Sequence, residues 1–593
     1  MIKIPPNSQW QANGKSDTFG SLYSAFNIDL QTNKGATRVS PRMLINTNNI
    51  TDLGTPVAFS TFTDQNGGVQ YHWAVAGGYV FRATTTSGYI TAFAKDSSTG
   101  SPNGLCSSDI SDMASYGKLW LVVSATDDIF RYDASSGAWN DGTSQLGTGV
   151  HMLTTYGQRF YVTGNLTSIF SFTPANYADI AVSGSNTLNL ANNAYPITSI
   201  STIKTVSDGI WVFTINQSES GCWAFKWDGA TANDPNFAYI IPDSSGVLSS
   251  VIKNDAPWIL DNNGRLMYFN GGSFVEAPNG RLPVRNAKLL KNSLSSVNDR
   301  WIHPNGMTIV DGRIRILINN ENNDNSKTIE ENISSGIWEY DETIGWVHIH
   351  SLSYHASTAG SVTDYGQNRI VRAGALYSAK SPSTSASTNG TMLAGAQFYT
   401  NATATANGIF TNDSNNTLQK YGYLVTSKIF SSNIQDTWQS VYLRFKKLFS
   451  SANAIAVKYR LNDVPPMEAT ITWTSTSTFT TTTDISAYAV GDEVEIVQGT
   501  GGGKCAHITA ILNAATSEVT LDDTFTGATG TAKARFQKWI KAGQTFSNQT
   551  SNFEKFSMQP QKNTSTWIQY KVCMQFTGDD ELNDLTVINA KHE

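Results

Sequence analysis

The chain is expected to be all-β: an N-terminal β-propeller of seven blades, followed by a β-sandwich that carries a small inserted β-barrel. Three observations lead there. A unit made of an apolar strand, an alternating strand and a closing aromatic recurs along residues 63–380. Beyond residue 380 the periodicity stops and longer alternating strands take over. Residues 467–536 then interrupt those strands with a Thr- and Gly-rich run of short apolar pieces.

Composition agrees with an all-β class. At 593 residues the chain is too long for a single hydrophobic core. Charged residues make up 15%, against about 25% in an average domain. Aromatics reach 11%, and Ser, Thr, Asn and Gly are plentiful, which favours strands and turns over long charged helices. The formal net charge of -6 supplies no basic footprint for nucleic-acid binding.

The repeat is read from its apolar strand. Copies occur at YHWAVAGGYVFRA (71–83), LWLVVSATDDIFRYD (119–133), QRFYVTGNLTSIFSF (158–172) and GIWVFTINQSESGCWAFKW (209–227). Further copies are APWILDNNGRLMYFN (256–270), the stretch 312–341, and a weaker one at NRIVRAGALYSAK (368–380). Anchored on Trp73, Trp120, Phe160, Trp211, Trp258, Ile314 and Ile370, the steps are 47, 40, 51, 47, 56 and 56 residues. A period of 40 to 56 residues with several strands per unit is propeller-like. A β-helix or stacked sandwiches are the competing architectures. Trp73, Trp120, Trp211 and Trp258 lie on the apolar strand, and Trp139, Phe274 and Trp346 follow its partner after a turn. These seven are the expected structural aromatics. The segment 1–62 contains strand-like pieces before the first full copy, part of which would close the ring.

In the C-terminal part, VYLRF and IQYKVCMQF alternate as antiparallel strands with one buried face. They assign 381–466 and 537–593 to a sandwich. The phrases GDEVEIV, AHITAIL and SEVTLDD assign 467–536 to a barrel inserted in one of its loops.

No motif carries catalysis. GTGGGK (499–504) lacks phosphate-loop spacing, is followed by Cys505, and sits between strands with no helix to receive an anion. DNNG (261–264) and NNENNDNS (319–326) offer oxygen ligands without the spacing of a helical calcium loop. The histidines are 72, 151, 303, 348, 350, 355, 507 and 592, with His348, His350 and His355 close together. They lack an identifiable partner set for zinc. Asp127, Asp128, Asp133, Asp228, Asp261, Asp311 and Asp341 recur at strand ends, which marks repeated turns rather than a catalytic pair. No GxSxG elbow occurs. Cys106, Cys222, Cys505 and Cys573 have no metal or redox spacing and read as free thiols. No catalytic, cofactor-binding or metal residue is expected, and no cofactor. The N-terminal residues contain no signal-like apolar run, and no stretch is long and apolar enough to span a membrane.

The phrase FGSLYSAFNIDLQTNKGATRVSPRM (19–43), with Gly35, Arg38, Ser40, Pro41 and Arg42, resembles the opening of tail or neck structural proteins of tailed bacteriophages. The repeat region is similar to the propeller-bearing nozzle and hub proteins of phage tails, and YAVGDEVEIVQGTGGGKCAHITAI to small β modules of virion proteins. The resemblance implies a non-enzymatic structural component of the tail, assembled in the host cytoplasm. It implies a homo-oligomer around the tail axis that docks other tail or neck proteins, with non-specific passage of DNA through the assembly. The alternative is a carbohydrate-binding or carbohydrate-cleaving protein, for which Trp139, Trp227 and Trp346 would be the exposed aromatics.

Overall fold

The computed structural model describes residues 2–4, 22–29, 38–40, 43–47, 54–63, 70–86, 89–90, 92–106, 108–164, 166–176, 179–180, 187–192, 195–216, 221–232, 234–282, 301–319, 335–353, 370–379, 391–399, 401–403, 405–412, 421–430, 437–445, 454–461, 464–501, 504–512, 517–525, 527–547, 553–557, 567–575 and 582–590. They are almost entirely strand, and among them no helix is long and apolar enough to cross a membrane.

Among the described residues, six antiparallel meanders follow one another in chain order. Their first strands are Pro56–Thr63, Ile110–Tyr116, Leu153–Tyr156, Ser199–Val206, Val247–Lys253 and Met307–Val310. Their second strands are Gln70–Ala76, Leu119–Ser124, Arg159–Thr163, Gly209–Ile215, Ala256–Asp261 and Arg313–Ile318. The turns explain the hairpins. Gly157-Gln158, Asn254-Asp255 and Asp311-Gly312 each place two consecutive residues at positive φ. That conformation matches the twist of a two-residue hairpin and favours Gly, Asn and Asp. The pairs Tyr156–Arg159, Lys253–Ala256 and Val310–Arg313 accordingly face each other across it.

The apolar strand of the repeat is the second strand of each meander, and it is buried along nearly its whole length. The first strand of each unit runs beside the first strand of the next. The apolar core is divided accordingly into clusters that each join two consecutive units.

The repeat ends at the sixth unit. Ile370, the expected seventh anchor, lies on Ile370–Ala379. That strand belongs to a composite sheet ordered Leu352–Ser353, Met43–Thr47, Thr405–Asn412, Thr391–Tyr399, Ile370–Ala379. The sheet thus recruits a strand from the first 62 residues and two from beyond residue 380. Ile370–Ala379 lies against both Pro56–Thr63 and Met307–Val310.

The all-β class holds, but the expected architecture is corrected. Along the repeat the hydrogen-bonded sheets are separate and open, six in-order meanders and a composite, and they identify no seven-bladed propeller; behind them no sandwich is identified either, although the expected inserted barrel is closed. The physical reason is that a repeated strand pattern, through its turns and alternation, encodes a single meander. It does not encode how successive meanders are disposed, nor that the last sheet draws strands from both sides of the repeat.

Two further sheets follow. One is ordered Leu22–Phe26, Gly422–Thr426, Trp567–Gln575, Ala454–Arg460, Ile540–Ser547, with Ile429–Phe430 also on Trp567–Gln575. We call it the host sheet. The other pairs Ile2–Ile4, Leu582–Ala590, Thr437–Phe445 and Phe553–Ser557. Between Arg460 and Ile540 the chain leaves the host sheet and closes a six-stranded barrel. Its order is Met467–Trp473, Thr478–Thr481, Ser517–Leu521, Cys505–Leu512, Glu493–Gln498, Thr531–Gln537. Both flanks of the insertion pair with each other, Tyr459 opposite Ile540, so the barrel's ends are held side by side.

Candidate functional site

The densest ionisable cluster lies where the barrel meets the host sheet. On the barrel, Glu493 faces His507 and Glu495 faces Cys505 in register. On the host sheet, Lys458 faces Lys571 and Ala456 faces Cys573. Alternation explains the placement. Val494, Ile496, Ala506 and Ile508 fill the barrel core, so their neighbours Glu493, Glu495, Cys505 and His507 point outward. Outward here means toward the host sheet, and all four are buried.

Burial without partners would be prohibitive for these charges. Glu493 is satisfied twice: Oε1 accepts from Lys571 Nζ at 2.6 Å and Oε2 from Lys458 Nζ at 2.5 Å. Burial pushes its carboxyl up, but the two ammonium groups outweigh that and hold it at about 2. Burial likewise works against Lys458 and Lys571, yet the Glu493 carboxylate and the neighbouring thiols raise both. Lys571 Nζ also lies 3.3 Å from Cys505 Sγ and 4.1 Å from the Tyr423 ring centroid. Glu495 accepts from Gln537 at 2.9 Å, and Arg535 bridges it, at 3.6 Å, to Glu468 at 3.0 Å.

A cavity of about 330 Å³ opens beside this cluster, walled by Tyr421, Lys458, Cys505, His507, Asp522 and Cys573 among others. Asp522 accepts the His507 backbone N–H at 2.7 Å, and its second oxygen lies 3.4 Å from His507 Nδ1 and 3.6 Å from Lys541 Nζ. Burial opposes ionisation of Asp522, but His507 keeps its carboxyl well below the usual range. Burial and then Lys458 lower the imidazole. His507 is therefore neutral near pH 7, with its proton on Nδ1 and a bare lone pair on Nε2. That Nε2 has no hydrogen-bond partner. The Tyr421 hydroxyl has the Cys505 and Cys573 thiols for neighbours but makes no hydrogen bond of good geometry.

The chemistry this permits is limited. Glu493, Glu495 and Cys505 place ligand atoms within 4.8 Å of one another. Both Glu493 oxygens are engaged by lysine, and Glu495 by Gln537 and Arg535. The arrangement fits ammonium and guanidinium groups rather than a metal ion. Cys505 and His507 also fall short of a nucleophile pair: Nε2 makes no hydrogen bond to the thiol, and burial raises the thiol well above its ordinary value.

No protein-family model matches the chain, and no curated protein does. Solved structures resemble it in part. YCF48 from Cyanidioschyzon merolae is 10% identical over 63% of this chain and 98% of that one, with a TM-score of 0.37. The computationally designed Ika8 protein is 10% identical over 62% and 99%, TM-score 0.33. Chaetomium thermophilum Raptor is 8% identical over 63% of this chain but 30% of its own, TM-score 0.36. At this level of similarity nothing about activity or partners carries across.

A second polar cluster sits among the first strands. Asp112 accepts from Leu153 N at 2.8 Å and from Asn305 Nδ2 at 2.9 Å, and Asn305 also donates to Val57 O at 3.1 Å. Four parts of the chain meet through one carboxylate. Burial pushes Asp112 up to about 6, offset in part by the Leu153 N–H and the half-buried Lys204.

The expected structural aromatics are all buried between sheets. Trp73 packs with Trp120, Tyr132 and Trp139. Trp211 packs with Phe274 of the following unit, and Trp258 with Tyr340 of the next. Trp139 Nε1 donates to Asp96 of the preceding unit at 2.7 Å, and Trp346 Nε1 to Gly280 O at 2.8 Å. The aspartates serve turns. Asp133, Asp228 and Asp341 accept backbone N–H groups two or three residues ahead, and Asp261 is occupied by Arg265 and Asn263. Asp311 sits in a hairpin turn. The side chains of Asp127 and Asp128, His355, His592 and residues 320–326 lie outside the described residues. His348 uses both ring nitrogens, toward Asn27 N and Ser335 O. Lys504 of the glycine-rich turn is bound to Thr524 O and Asp523. Of the N-terminal phrase at 19–43, Arg38–Val39 pairs with Ile28–Asp29, and Gly35, Pro41 and Arg42 lie outside the described residues.

Sequence reasoning missed the barrel–host cluster. Its signal was charge inside otherwise apolar strands: the lysines of AIAVKYRL and IQYKVCMQF and the glutamates of EVEIV.

Proposed function

We propose that the chain is a non-enzymatic structural component of a bacteriophage tail, assembling as a homo-oligomer around the tail axis and docking other virion proteins. What supports this reading above all is how the most reactive residue set is used. Glu493 pairs with both Lys458 and Lys571 and so fastens the barrel to the host sheet. A rigidly mounted module that exposes Val490 and Leu512 suits docking of a neighbour. The N-terminal phrase at 19–43 supplies the link to tail and neck proteins. Assembly in the host cytoplasm and passage of DNA along the axis belong to the same proposal.

The carbohydrate alternative needs exposed aromatic platforms. Its three candidates, Trp139, Trp227 and Trp346, are 3%, 0% and 1% exposed and cannot stack on a sugar. Cryo-electron microscopy of virions carrying a tagged copy tests the proposal. Density for the tag at one level of the tail, in a symmetric ring, is the expected result. A monomer found free of particles would overturn it.

A further inference from the structure

We infer that the cavity between barrel and host sheet binds a small uncharged hydroxyl-bearing molecule, of the size of glycerol or a monosaccharide. Four observations carry this beyond the structural role. The volume, about 330 Å³, is far more than one water occupies, since a water's share of the liquid is about 30 Å³, and it falls at the lower end of small-molecule sites. Two buried polar atoms of its lining residues, His507 Nε2 and Tyr421 Oη, make no hydrogen bond of good geometry, Tyr421 having only the Cys505 and Cys573 thiols beside it, although His507 is 7% and Tyr421 2% exposed. Such atoms are ordinarily satisfied, so each calls for an occupant.

Their chemistry is complementary. Asp522 is a carboxylate and only accepts, so the proton of His507 lies on Nδ1 and Nε2 is an acceptor. The Tyr421 hydroxyl has a proton to give. A ligand must then both donate and accept, as an alcohol does. The charged residues lining the cavity, Lys458, Lys541, Asp522 and Asp523, are two of each sign, and each already has an ion-pair partner. No surplus charge is left for an ion, and an uncharged molecule fits.

The test is titration of the full chain, labelled at histidine, with glycerol, D-glucose, acetate and inorganic phosphate, followed by the His507 ring resonances in NMR. A saturable shift with glycerol or glucose is expected. Two substitutions should each weaken it at least tenfold: Tyr421→Phe, which removes the donor, and Ala456→Leu, which fills the cavity from the host sheet without touching a hydrogen-bonding group. Thermal melts of both variants report that the fold survives. If no probe produces a saturable shift, the cavity holds water only and the inference fails. It fails equally if acetate or phosphate saturates and the uncharged probes do not.

Discussion

Glu493 of the barrel and Lys571 of the host sheet meet at 2.6 Å with both side chains at most 2% exposed. Lys458 approaches the other oxygen from the adjacent host strand. A buried ion group of this kind costs desolvation and is weak evidence of net stability, but breaking it is expensive.

Glu493→Gln should therefore destabilise the protein by roughly 3–5 kcal/mol, because two ammonium groups lose their counter-charge inside the fold. The triple variant with Glu493→Leu, Lys458→Met and Lys571→Met should recover most of that loss. Urea midpoints of the three proteins decide it; a triple variant as weak as the single one would show that the lysines matter for other reasons.

The same carboxylate predicts an acid transition. Its folded value of about 2 lies below its ordinary 4.5. The stabilisation is thus complete above about pH 4.5 and drains away as the pH falls toward 2. Accessibility of Cys505 and Cys573 to a thiol reagent should rise over that window, as the barrel loosens from its mount.

Asp112 predicts the opposite sign. Its folded value of about 6 lies above its ordinary 3.8, so folding favours the protonated form. Its contribution is most favourable below about pH 3.8 and is lost as the pH climbs through 6, by about 3 kcal/mol in all. The stability difference between wild type and Asp112→Asn should change between those two limits and be flat outside them. A difference independent of pH would remove Asp112 from the account.

Trp73→Ala should cost about 3–5 kcal/mol, the usual range for a fully buried large aromatic. The side chain is 0% exposed and touches three other rings across two units. Calorimetry would show a lower melting temperature, whereas Phe430→Ala, at an exposed position, should leave it nearly unchanged.

Excising the barrel is a sharper experiment. Replacing residues 461–539 with one glycine leaves Arg460-Gly as a two-residue turn between the paired Tyr459 and Ile540. With Lys458→Met and Lys571→Met added, the remainder should keep its strand content by circular dichroism and still unfold cooperatively. Loss of strand signal beyond the barrel's share would mean that the host sheet depends on it.

Much of the local structure was readable in advance. The hairpins of six units follow from turn residues such as Asn254-Asp255 and Asp311-Gly312, and the burial of Trp120 or Trp211 from the apolar runs around them. What could not be read was long-range pairing. Nothing near Met43 announces that it will face Asn412, and nothing near Ile370 that it leaves the repeat. The cluster around Glu493 was hidden for a related reason. Its members come from three separate stretches, and each charged residue alone reads as the solvated face of a half-buried strand.

The pairing of Met43–Thr47 with Thr405–Asn412, and of Ile2–Ile4 with Leu582–Ala590, has a consequence in time. At about 5–20 residues per second, a ribosome takes roughly half a minute to two minutes to travel from the first of these strands to its last partner. The six meanders can collapse as they emerge, each with its neighbour already made. The opening strands must wait, unpaired and sticky-edged, until these distant partners have been made. Docking of Ile2–Ile4 is therefore expected to be a late, slow step, which truncation near residue 582 would abolish.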